Sequence, residues 1–80
     1  MTILKEVSTY APGLGDRIKA ARERDERPLH EIASAAGMSS QNWYRIEKER
    51  QTLPVETLRL IEQVLEVDFG VSFEEDAAND

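Results

Sequence analysis

The sequence predicts a mainly α-helical single domain of four helices with short strands at either end, on three observations. Apolar residues recur at three- and four-residue spacing in four separate runs, and that spacing gives a helix one apolar stripe. Gly, Pro and Ser stand between the runs, where helices must stop and start. After the last run, Val67-Asp68-Phe69-Gly70-Val71-Ser72-Phe73 alternates with the period of two expected of a strand.

Ile3, Leu4 and Val7 open the chain as an N-terminal segment, 1–13, that is either a strand over 3–7 or a covering arm. As a strand it would pair with 67–73, within one chain or between two, and rest on the helices because a lone hairpin is marginal. Ala11-Pro12-Gly13-Leu14-Gly15 reads as a turn. The first helix then runs from 14 or 15 to 24, with Leu14, Ile18 and Ala21 inward and Lys19, Arg22 and Glu23 outward. Pro28 suits the first turn of the second helix, where a missing N–H costs nothing. Leu29, Ile32, Ala33 and Ala36 supply its inner side, and Gly37 is its left-handed terminator. Ser39 caps a third helix reaching about residue 48, with Trp43 and Ile46 inward and Met38 in the turn. A polar connection over 49–53 leads to Pro54 and a fourth helix. There Val55, Leu58, Ile61 and Leu65 face the core, with Leu60 and Val64 beside them. Residues 68–73 are the short C-terminal strand, and 74–80 an acidic, solvated tail.

Eighty residues make one small domain whose core supplies roughly 3 to 5 kcal/mol. The absence of Cys excludes disulfides and thiolate metal sites, and His30 alone assembles no metal centre. No spacing unites a nucleophile, a base and an orienting group, so neither an enzyme nor a cofactor is expected. The opening MTILKEV is too short and too soon charged for a signal or a spanning segment, which makes the cytoplasm the expected compartment and a membrane no partner. Net charge is -6, unevenly spread. Residues 14–50 hold eight basic groups (Arg17, Lys19, Arg22, Arg24, Arg27, Arg45, Lys48, Arg50) against seven acids, whereas 51–80 hold Arg59 against eight acids. The nearly balanced half can still present cations on one face, and affinity for phosphates depends on that local arrangement.

The helix, tight Gly turn and helix across 29–48 have the form of a helix-turn-helix, whose second helix enters the major groove of DNA. With Trp43 and Ile46 inward, helical pitch leaves Ser40, Gln41, Tyr44, Arg45 and Lys48 at or near solvent. Gln41 can pair bidentately with adenine and Arg45 with guanine, while Tyr44 can donate to phosphate or pack on a thymine methyl. The same side chains are also ordinary on a protein surface. Trp43 reads as a core anchor, His30 as a solvent-side residue, and Asp16, Glu23, Asp25 and Glu26 as solvation. Phe69 and Phe73 share one strand face, suited either to closing the core or to a subunit contact.

The stretch LGDRIKAARERDERPLHEIASAAGMSSQNWYRIEKERQTLPVETLRLIEQVLEVDFGV resembles the Cro/C1-type (Xre-type) helix-turn-helix family over about residues 14–67. The resemblance is carried by Arg17-Ile18 and Arg22, Ile32-Ala33 with Gly37 four residues on, Ser39 as cap, Ile46-Glu47, Glu56-Thr57-Leu58, and Leu65. It implies a compact lambda-repressor-like bundle of four or five helices that binds double-stranded DNA to regulate transcription, often as a two-fold dimer. It further implies base contacts from Ser40, Gln41, Tyr44 and Arg45, phosphate contacts around Arg50 and the N-terminus of the second helix, and a structural pair between Arg17 and Glu47; in a DNA-binding reading Arg22 and Lys48 join Arg50 as backbone contacts. The chain departs from the family pattern at Arg27-Pro28-Leu29, where a capping residue and a phosphate-contacting Gln are usual. Glu49 stands in place of the customary Gly, and Trp43 in place of an aliphatic residue.

Two functional expectations follow. One is a dimeric, sequence-specific DNA-binding regulator. The other is a protein-interaction module on the same fold, using the Tyr44 face or the Phe69/Phe73 edge, and it is favoured by the net acidity, Leu29 and Glu49.

Overall fold

The computed structural model describes residues 1–5 and 8–71. In chain order these form β1 (Thr2–Leu4), β2 (Thr9–Tyr10), α1 (Leu14–Arg24), α2 (Leu29–Ala35), α3 (Ser40–Glu47), β3 (Leu53–Pro54) and α4 (Val55–Leu65). The expectations at Val7, at Phe73 with the end of the C-terminal strand, and for the tail 74–80 lie outside the described residues. The fold is mainly helical with short flanking strands, as the periodicity predicts.

Local sequence sets the helix boundaries. Ser39 caps α3 by accepting a hydrogen bond from the Asn42 N–H at 3.1 Å, while Pro28 and Pro54 are the N-cap residues of α2 and α4. Each proline thus sits one position earlier than the first helical turn. Three helices end through the same device, a residue at positive φ followed by paired backbone bonds to the last turn. After α2 it is Gly37 (φ 75), with Gly37 N–H to Ser34 and Met38 N–H to Ala33. After α3 and α4 it is Glu49 and Glu66, both at φ 55, a conformation that costs a residue with a Cβ about 1 kcal/mol.

The strand pairing differs from the expected hairpin. β1 is the middle strand, antiparallel to β2 (Ile3 opposite Thr9) and parallel to β3 (Ile3 opposite Leu53, Leu4 opposite Pro54). Pro54 has no N–H to donate, and an edge strand accommodates it. Residues 67–71 form no strand. Their peptide groups are satisfied by side chains: Glu62 accepts from Phe69 N–H at 2.9 Å, Arg17 donates to the Phe69 carbonyl, and Arg59 donates to the Val71 carbonyl at 3.3 Å. Gly70 at φ 73 breaks the extended path. Phe69 and Val71 thereby turn into the core, so Phe69 closes the domain and is not displayed for a subunit contact.

The core joins sheet and helices. Ile3, Leu14, Ile18, Ile32, Trp43, Leu53, Leu58 and Ile61 are all completely buried, with Ile46 beside them. Ala33 and Ala36 keep α2 close to its neighbours, as their small side chains predict. The tightest approach is between α1 and the end of α3. A Cβ on Gly15 would lie 2.2 Å from the Glu47 carbonyl oxygen and 2.8 Å from Glu49 Cγ. Gly15 is therefore a packing residue, whereas Gly13, at φ 76 with open space around its Cβ position, is a conformational one.

The two glycines should separate experimentally. Gly13→Ala is expected to cost about 1 kcal/mol of stability through backbone strain, and Gly15→Ala about 3 kcal/mol because two helices must part. Urea denaturation followed by Trp43 fluorescence measures both, and equal losses would contradict the close approach.

Candidate nucleic-acid interface

α2, the Gly37 turn and α3 place a short helix against a second whose outer face is polar. Gln41, Tyr44, Arg45 and Lys48 are exposed and Ser40 is half-buried, with Arg50 exposed just beyond the helix. Gln41, Arg45 and Lys48 follow at four- and three-residue spacing and make one stripe. Tyr44 lies beside it, 46% exposed. Among the described residues, the side chains of Lys19, Arg45, Lys48 and Arg50 take part in no ion pair or hydrogen bond. Cations in water without internal partners can neutralise phosphates at little desolvation cost.

Behind this face lies a buried carboxylate. Glu47 is 7% exposed and accepts from Trp43 Nε1 at 2.5 Å, from Arg22 Nε at 2.6 Å and from Arg22 Nη2 at 3.0 Å. One carboxylate thus satisfies the indole N–H that burial of Trp43 would otherwise orphan, and holds a bidentate arginine. The expected pairing of Glu47 with Arg17 is corrected: the partner is Arg22. Arg17 instead donates to the Phe69 carbonyl and lies over the Phe69 ring, 5.6 Å from its centroid. Helical pitch explains the exchange, because Gly15, Ile18 and Arg22 form one stripe of α1, and Gly15 abuts the Glu47 backbone. Arg17 falls on another side. Arg22, expected at the DNA backbone, has its guanidinium paired with Glu47 and lying over the Tyr44 ring, 5.8 Å from its centroid.

Glu49 has a role that its sequence position conceals. Its Oε2 accepts from the Gly15 N–H at 3.1 Å, at the start of α1, and its Oε1 lies 2.6 Å from the Met1 amino group. The Met1 amine and the Gly15 N–H hold this carboxyl below the usual glutamate range. A left-handed glutamate therefore directs its carboxylate to the Gly15 N–H and the Met1 amine, while it still lines the groove that Tyr44 and Lys48 share. Leu29 is half-buried against the core and offers no polar group at the start of α2. Arg27 is also committed elsewhere, bonding Asp25 through Nε at 3.0 Å and the Val64 carbonyl at 2.8 Å. Bonds from the Arg27 side chain and then its N–H bring the Asp25 carboxyl down to about 2. Glu62 and the Gln51–Asn42 amide contact, at 3.2 Å, carry no sequence signal, because their partners are brought near only by folding. Gly15 and Arg22 did carry one, in their shared stripe.

A double-mutant cycle tests the corrected pairing. Glu47→Ala should cost about 3 kcal/mol, and Arg22→Ala with Glu47→Ala should couple by more than about 1 kcal/mol. The cycle with Arg17→Ala should couple by less than about 0.5 kcal/mol; the reverse order would restore Arg17 as the partner. Glu49 makes a pH prediction. Its carboxyl is lowered on folding, so the stability it adds is present above its ordinary value of 4.5 and is lost as pH falls through the folded value. The advantage of the wild type over Glu49→Gln, about 1 kcal/mol or less for a partly solvated group, should shrink in that acid range. A difference constant with pH would contradict the contact.

Comparison with known proteins agrees with this geometry. No curated protein and no solved structure matches the chain. A family model described as a helix-turn-helix domain matches residues 13–75, which spans α1 through α4 and the segment that closes the core. The chain belongs to the helix-turn-helix domain family.

Proposed function

We propose that the protein is a sequence-specific, double-stranded DNA-binding transcriptional regulator of the Cro/C1 (Xre) type that acts as a dimer in the cytoplasm and carries out no catalysis. The observation that supports this reading best is the solvent face of α3, where Gln41, Tyr44, Arg45 and Lys48 are displayed together and both cations have no partner among the described residues. In this reading α3 enters the major groove. Ser40, Gln41, Tyr44 and Arg45 meet base edges, and Lys48 and Arg50 meet phosphates on either side. Two subunits would set the half-site spacing.

A protein-interaction module remains the second reading, favoured by the net charge of -6 and by the apolar Leu29 at the start of α2. Glu49 weighs less against DNA than its sequence position suggests, since its carboxylate is bonded to Gly15 and Met1.

Selection from a random duplex pool at low salt distinguishes the two. A reproducible inverted repeat supports DNA recognition and two-fold symmetry together, and a lack of enrichment by folded protein rejects the first reading. On the enriched duplex, Arg45→Ala should lose about 1 to 3 kcal/mol and relax one base preference if Arg45 pairs bidentately. Unchanged affinity and preference would remove Arg45 from the interface.

A further inference from the structure

We infer that Arg22 is a positioning residue for Tyr44, the last link of a chain of contacts that sets the aromatic ring on the recognition face from inside the core. This rests on the DNA-binding reading for its consequence, though not for its geometry.

The chain begins at Trp43, which is completely buried. Its Nε1–H fixes Glu47 at 2.5 Å, on the same helix one turn on. Glu47 in turn holds Arg22 at two nitrogens, 2.6 and 3.0 Å, and two bonds fix the plane of a guanidinium as well as its place. That plane is presented to the Tyr44 ring, with the guanidinium carbon 5.8 Å from the ring centroid, within range of a cation–π contact. Trp43 and Tyr44 are adjacent in sequence and lie about 100° apart around α3, one buried and the other exposed. The path from one to the other therefore leaves the helix, crosses α1 and returns.

Tyr44 is an exposed side chain. It lines the groove between α1 and α3 together with Asp16, Lys19, Glu47, Lys48 and Glu49, and of these Lys19 and Lys48 have no ion-pair partner among the described residues. A ring placed there before DNA arrives loses less freedom on binding, which is how preorganisation raises affinity without a new contact. Lysine at position 22 can still pair with Glu47, but it has neither a flat face for the ring nor a bidentate fork. Arg22→Lys therefore separates the charge of Arg22 from its shape.

The test has two arms. Without DNA, NMR of the full chain should show the Arg22 Nε–H displaced by the Tyr44 ring current, an effect abolished by Tyr44→Leu. Arg22→Lys should average the Tyr44 side-chain rotamers while the Trp43 indole N–H stays protected. A Tyr44 rotamer unchanged by Arg22→Lys overturns the inference, whether or not the protein binds DNA. On the duplex enriched by selection, Arg22→Lys should bind about 3- to 10-fold more weakly and lose discrimination at the base pair that Tyr44→Leu affects. Adding it to Tyr44→Leu should have no further effect, because the residue acts through the ring. Losses that multiply, or an Arg22→Gln variant that lowers the salt dependence by about one phosphate's worth, would instead make Arg22 a direct backbone contact. If no duplex binds the wild type, the functional reading falls and the NMR arm alone decides the positioning.

Discussion

The buried Glu47 carboxylate is the interaction on which the rest of the arrangement depends. A carboxylate taken out of water is costly unless its charge and lone pairs are met, and here three donors from two residues meet it. Because those donors come from α1 and α3, the contact sets how the two helices sit. The absence of a side chain at Gly15 lets α1 press against the Glu47 carbonyl at the end of the same helix. Charge, indole and glycine form one joint, and the polar face of α3 points outward because its other face is held in this way.

Glu49 shows how one residue can serve two structural needs that a glycine serves only once. The chain must turn left-handed after α3 to reach β3, and glycine would do so with less strain. The glutamate keeps the turn and places its carboxylate at the first turn of α1, where an N–H and the Met1 amine receive it. The end of α3 is thereby tied to the start of α1 and to the N-terminal strand. Glu66 makes the same left-handed turn after α4.

The three-stranded sheet and the 67–71 segment close the domain at its other side. β1 brings Ile3 into the core between β2 and β3, and the segment after α4 brings in Phe69 and Val71. Neither needs the other as a strand partner. Among the described residues the large apolar side chains left in water are Leu4, Tyr10, Tyr44 and Leu60, scattered over the sheet, the outer face of α3 and α4.

The sequence by itself determined the four helices, the Ser39 cap, the Gly37 turn, the buried stripe of each helix and the exposure of Gln41, Tyr44, Arg45 and Lys48. All of these follow from local periodicity and capping chemistry, which act over a few residues. Only the tertiary structure decided that Glu47 takes Arg22 over Arg17, that Leu53 and Pro54 are the second neighbour of β1, and that Phe69 enters the core on side-chain hydrogen bonds in place of a strand. Partners 25 or more residues apart are chosen by the angle and distance at which elements meet. Periodicity gives the face a residue occupies, not which of two arginines on neighbouring faces lies over a particular carboxylate. That choice was made where Gly15 let two helices touch.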